Sequence, residues 1–221
     1  MVKRRVRVYI EGGAEGKSAD SDFRRGWKKF LNELHELARA RGYQSLEVVR
    51  GRGRRNTYER FVKHKQQVET RDDLCVLLVD SETPVPDDSL VWDVVARREG
   101  DRWQRPAWAT ERHLYLMVHM VEAWLLTDQH ALQQFFKRGF NLRVLPTTNL
   151  EIRSKDEING ALKRATQHSS KGPYRHGQAH EVIEFVSPAG VKTLRHGRRL
   201  FDCLGSLIKG EPEEQPCSSS T

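Results

Sequence analysis

Six apolar residues in a row, Leu-Cys-Val-Leu-Leu-Val at positions 74–79, run straight into Asp80-Ser81-Glu82. A continuous apolar run of this length is what a strand buried on both faces requires, and such strands belong to parallel sheets covered by helices. An earlier run at 6–10 ends the same way, in Glu11 and a glycine-rich turn that leads into an amphipathic helical pattern. Alternating strands and helices, joined by right-handed crossovers, form a parallel sheet whose strands all end at one edge. The expected fold class is therefore α/β, a mostly parallel sheet flanked by helices, with Glu11, Asp80 and Glu82 brought together. Residues two apart on an extended segment point to the same side, so Asp80 and Glu82 are expected to face one way.

Between these runs, Phe23, Trp27, Phe30, Leu31, Leu34 and Leu37 recur at helical spacing and predict one long helix ending at Gly42. Residues 46–49 read as a second strand. The basic, glycine-rich loop at 50–56 precedes a helix carrying Tyr58, Phe61, Val62 and Lys65, and its Arg55 and Asn56 are candidates to hold phosphate. Residues 84–110 read as an irregular insertion or mobile segment over the sheet's edge, whose Trp92, Trp103 and Trp108 are more often packing than base-stacking residues. Residues 114–118 read as a fourth strand. Beyond it stands Glu122 among apolar neighbours, a carboxylate that is costly to bury unless paired or bound to metal, unless it lies on the polar edge of its helix.

After Pro146 the chain changes to helix and polar loop. Ser154 and Glu157 have the spacing of a capping box, and the basic loop at 171–177 offers Lys171 and Tyr174 to a phosphate backbone and a base. One domain is expected over 1–207, with a core to about 145, a helical C-terminal extension from 146, and a disordered tail at 208–221.

The segment Gly16-Lys17-Ser18 imitates a phosphate-binding P-loop, but Glu11 occupies the place of the first glycine, and a carboxylate there repels phosphates. An ordinary glycine turn capped by Ser18 or Asp20 is the alternative. Lysine and arginine number 38 against 30 acids, for a net charge of +8, which favours a polyanionic partner or is simply a soluble basic surface. Three cysteines without metal spacing suit a reducing cytosol, and no apolar run reaches membrane-spanning length, so a cytoplasmic protein is expected. Three clustered carboxylates repel one another unless they share a hard divalent cation, which makes Mg²⁺ or Mn²⁺ the expected cofactor.

The order of motifs resembles a known family. Val8-Tyr-Ile-Glu11-Gly-Gly, Phe23-Arg-Arg25-Gly with Phe30, Gly53-x-Arg55-Asn56, Leu78-Val-Asp80-Ser-Glu82, Met120-x-Glu122-Ala-Trp124, Ser154-Lys155-Asp156 and Lys171-Gly-x-Tyr174 together look like the bacterial Toprim-like family catalogued as domain of unknown function 4276. The resemblance spans about residues 6–204 and implies a Toprim core like that of topoisomerases, DnaG-type primases and OLD-family nucleases. It implies metal binding by Glu11 and by the pair Asp80 and Glu82, with glutamate where the superfamily has a second aspartate, and a further ligand at Glu122. The expected function is a metal-dependent nuclease, with Arg25, Arg55, Asn56, Lys155, Lys171 and Tyr174 on the substrate. By resemblance it belongs to phage-defence loci with a partner ATPase, and a homo-oligomer is open. The alternatives are a non-catalytic nucleic-acid-binding or regulatory subunit and, more distantly, a P-loop nucleotide hydrolase.

Overall fold

A computed structural model describes residues 4–12, 17–67, 72–175 and 177–212, with the side chains of 17–19 left aside. The strands are β1 (Val6–Ile10), β2 (Leu46–Arg50), β3 (Leu74–Asp80) and β4 (Leu114–Met117). They form a sheet of order β2-β1-β3-β4, parallel throughout. The helices are α1 (Lys17–Phe30), α2 (Asn32–Ala40), α3 (Arg54–His64), α4 (Val91–Arg97), α5 (Glu122–Leu125), α6 (Gln129–Phe136), α7 (Lys155–Thr166), α8 (Ala179–Val182), α9 (Pro188–Val191) and α10 (Arg195–Lys209). Among the described residues no helix is long and apolar enough to cross a membrane.

Period-two alternation assigns the strand residues to two cores. Val6, Val8, Ile10, Val76, Leu78, Tyr115 and Met117 face one cluster with α1, α2 and the helices after β4. Tyr9, Cys75, Leu77, Val79, Leu114 and Leu116 face the other, with Phe61 of α3, Val91 and Val95 of α4, and Trp103. Helices on both faces explain why β3 is a continuous apolar run. Residues 146–207 contribute Ile158, Leu162, Val182, Leu200 and Leu204 to the first cluster, so they share the core of the sheet.

Several boundaries differ from the sequence reading. The long helix breaks at Leu31 into α1 and α2, which lets the chain wrap the sheet while Phe30, Leu31 and Leu34 all stay buried. The stretch 84–110 carries α4, whose Val91, Trp92 and Val95 are buried, so part of it is regular packing structure. The helical extension expected from 146 includes the 15-residue α10, which continues to Lys209 and buries Ile208, past the expected tail boundary. Residues 213–221 lie outside the described residues, as does the glycine turn at 13–16. Asp20 is not a cap: it sits within α1 and pairs with Arg50 and Arg52.

The topology places a switch point between β1 and β3. From β1 the chain moves outward to β2, then returns past β1 to β3 and continues to β4 on the other side. At such a point the connections leave in opposite directions, and the carboxyl ends of the two central strands border a crevice. Glu11 and Asp80 stand at those two ends.

Candidate active site at the carboxyl edge of the sheet

Backbone pairing carries the sheet's register into the site. Glu11 N–H donates to Leu78 O (3.1 Å), Ser81 N–H to Met117 O (2.8 Å) and Glu82 N–H to His119 O (3.2 Å). The two glycine loops close over this edge, with Gly51 N–H on Ile10 O (2.9 Å) and Gly53 N–H on Gly12 O (3.3 Å). A Cβ on Gly12 would stand 2.4 Å from the Phe23 ring, so glycine is required for the turn to lie against α1.

Four carboxylates share this edge, and each has a hydrogen-bond or ion-pair partner. Glu11 Oε2 accepts from Arg54 Nη1 (2.9 Å) and Asp80 Oδ1 accepts from the Val121 amide (2.9 Å). Glu82 Oε2 meets Lys155 Nζ (2.5 Å), and buried Glu122 accepts from the Tyr174 hydroxyl (2.6 Å). Burial pushes the Asp80 carboxyl well above its ordinary range, and the negative charges of Glu11, Glu122 and Glu82 push it further, against the pull of Lys155. Burial also raises Glu11, with Arg54 opposing and Glu82 reinforcing. Glu11, Glu122 and Glu82 are all near enough to Asp80 for their charges to act on it.

The structure treats the expected site residues unequally. It brings Glu11, Asp80, Glu82, Glu122 and Lys155 together. Tyr174 joins them from the interior: its ring is buried 6.4 Å from that of Phe136, so it orients Glu122 and offers no surface for stacking a base. Arg25 is exposed and pairs with Asp22 and Glu184, both at 2.9 Å. Arg55 is 90% exposed and pairs with Glu59 one turn along α3, while the Asn56 amide donates to Gly51 O. Lys171 lies 3.6 Å over the Phe135 ring. None of these last four is bonded to the carboxylates. The extended segment expected to run from Asp80 through Glu82 is absent: β3 ends at Asp80, and Glu82 has a left-handed backbone (φ 68°), with its side chain paired to Lys155.

Three residues were absent from the sequence reading. Arg54, at the start of α3, is the guanidinium that reaches the cluster, touching both Glu11 and the Asp80 carbonyl. It is held from behind by Asp101, through Nε (2.8 and 2.9 Å) and Nη2 (2.6 Å), and lies over the Trp103 ring at 4.8 Å. Burial opposes its charge, but Asp101 and Glu11 keep its pKa above the ordinary value. Asp101, with a side chain 2% exposed, also binds Arg98 (2.8 Å), whose other end stands 4.0 Å from Glu82. His119, left-handed at φ 60° and buried beside this edge, has an Nε2 without a hydrogen-bond partner among the described residues. The legible signal for Arg54 was the RGRGRRN run itself, and for His119 a polar residue inside an apolar stretch.

The donor set is all carboxylate oxygen, the chemistry that suits Mg²⁺ or Mn²⁺, and the charge accumulated around Asp80 is what such an ion relieves. Among the described residues no three His, Cys, Asp or Glu side chains are drawn together closely enough to hold a metal, because Glu11 and Glu82 are turned to Arg54 and Lys155.

Fold and site together define a parallel α/β domain with a cluster of acidic side chains at its topological switch point. The family described as Domain of unknown function (DUF4276) matches residues 11–200, and the chain belongs to that family. No curated protein and no solved structure matches the chain.

Proposed function

We propose that the protein is a divalent-metal-dependent nuclease with a Toprim-like core, cleaving nucleic-acid phosphodiesters at the carboxyl edge of its sheet. The observation that carries this reading is the gathering of Glu11, Glu82 and Glu122 around Asp80 at the switch point, where their charges raise the Asp80 pKa. Glu11, Asp80, Glu82 and Glu122 would hold Mg²⁺ or Mn²⁺, which supplies Lewis-acid polarisation of the phosphate and a more acidic water. Arg54 presents Nη1 at the same edge and offsets charge growing on the phosphoryl oxygens, while Asp101 and Trp103 fix its plane so that little reorganisation is needed. Lys155 adds a second positive charge beside Glu82. Tyr174 keeps Glu122 oriented toward the cluster's interior. A basic chain of net charge +8 concentrates a polyanionic substrate, and a partner ATPase belongs to the same proposal.

Plasmid DNA and total RNA incubated with Mg²⁺, Mn²⁺ or EDTA test it, beside Glu11→Gln and Asp80→Asn. Metal-dependent cleavage lost in both variants is expected. The second reading, a non-catalytic nucleic-acid-binding or regulatory subunit, is favoured by the pairing of Glu11 and Glu82 with Arg54 and Lys155, which already neutralises two of the acids. It predicts binding without cleavage under every metal. The P-loop reading predicts loss of activity on changing Lys17, whose side chain lies outside the described residues.

A further inference from the structure

Helix α7 has two functional sides. Lys155 in its first turn reaches Glu82 at the acidic edge. Elsewhere the same helix, with the segment 143–146 and Arg153, walls an open cavity of about 530 Å³ that the carboxylate site does not use. Arg143, Arg153 and Arg164 line it with Asp156 and Glu157, beside an apolar wall of Val144, Leu145, Pro146 and Ala161.

The charges in this cavity are unequally satisfied. Glu157 is committed to the capping box, accepting from the Ser154 amide (2.8 Å) and hydroxyl (3.0 Å). Arg153 stands 3.8 Å from Glu157 and donates to Thr148 O (3.1 Å). Arg143 and Arg164 make no ion pair among the described residues. Three guanidinium groups against two carboxylates leave the cavity net positive by one, with two of the three free to bind. Guanidinium forks match phosphate oxygens, and the apolar residues beside them give a sugar or the edge of a base something to pack against.

We propose that this cavity is a nucleotide-binding site, in which Arg143, Arg153 and Arg164 hold phosphate and the Val144–Pro146 wall, with Ala161, receives the rest of the nucleotide. The unit is either a free nucleotide or one residue of a nucleic-acid strand running past α7 toward Lys155. The site stands independently of the nuclease reading, because it requires no metal and no cleavage.

Binding is measured in EDTA by fluorescence anisotropy, with a labelled single-stranded oligonucleotide and a labelled adenosine diphosphate as separate probes. The variant is Arg143→Glu/Arg164→Glu, and Arg24→Glu/Arg39→Glu, two exposed positions on α1 and α2, matches its change in net charge. The expected result is binding of at least one probe by the native protein, weakened by about tenfold or more in the cavity variant, as loss of two charge-assisted contacts demands, and by much less in the matched control. Loss confined to the oligonucleotide identifies a strand site, and loss with both probes a nucleotide pocket. Failure of the native protein to bind either probe overturns the proposal, as does equal weakening in the two variants. Circular dichroism of both variants accompanies the titrations, and Arg143→Gln/Arg164→Gln, expected to weaken binding in the same order, replaces the reversal if that protein is unfolded.

Discussion

The two ends of strand β3 treat the same side chain in opposite ways. Asp73, just before the strand, is buried and satisfied on all sides: it accepts from the Arg5 amide (2.7 Å) and Arg7 Nε (2.8 Å) and lies 3.3 Å from His64 Nε2. Burial alone would raise its pKa, but Arg7, the Arg5 amide and His64 hold it below the ordinary value. Asp80, at the other end, has the Val121 amide and three carboxylate neighbours, and its pKa is driven up. One aspartate is a structural pin that stabilises the amino edge of the sheet. The other is held in a repulsive environment that costs stability. The lesson lies in the signs of the two shifts, since both residues are aspartates flanking one strand.

Predictions on the two aspartates separate these roles. The largest effect is expected for Asp73→Ala, which takes the acceptor from the Arg5 amide and from His64 and leaves the half-buried Arg7 with Glu47 alone, and should cost about 2 kcal/mol in urea-monitored unfolding, the size expected when buried donors lose their partner. Asp80→Asn should instead stabilise the fold by about 1 kcal/mol in the same assay, because an amide keeps the Val121 hydrogen bond and removes a repelled charge. An Asp80→Asn protein less stable than the native one would erase the contrast.

The smallest effect is the pH dependence of those differences. The Asp73 pKa is depressed on folding, so its contribution is present above its unfolded value and is lost as the pH falls through the lower folded value. The Asp80 pKa is raised, so its destabilising contribution is complete at high pH and disappears as the pH falls through the folded value toward the unfolded one. The stability gap between native protein and Asp80→Asn should therefore narrow on acidification before the gap for Asp73→Ala begins to change. Unfolding measured across a pH series checks the order, and simultaneous narrowing would show that the two edges do not differ.

Much of this contrast was legible beforehand. The apolar run at 74–79, with the run at 6–10, announced a parallel sheet, and Glu11, Asp80, Glu82 and Glu122 were identifiable because carboxylates that follow buried strands or interrupt apolar stretches stand out. The cations were harder. Arg55 was the expected candidate and its neighbour Arg54 the residue that reaches the site, because the helix start decides which side chain turns inward: α3 begins at Arg54, and each following residue is rotated by about 100° around the axis, so Arg55 points to solvent and Arg54 to Glu11. Asp101 carried no local signal at all, because its importance lies in meeting Arg54 across 47 positions of chain.

By itself, then, the sequence determined the α/β architecture, the edge at which the acids collect and the capping of α7, all of which follow from local periodicity and from side chains close together in the chain. Only the tertiary structure decided which charges meet. It paired Glu11 with Arg54 and Glu82 with Lys155, set Tyr174 inside against Glu122, and turned Arg25, Arg55 and Lys171 to other partners. Those pairings depend on helix phase, on a left-handed residue at Glu82 and on segments far apart in sequence, and local patterning encodes none of the three.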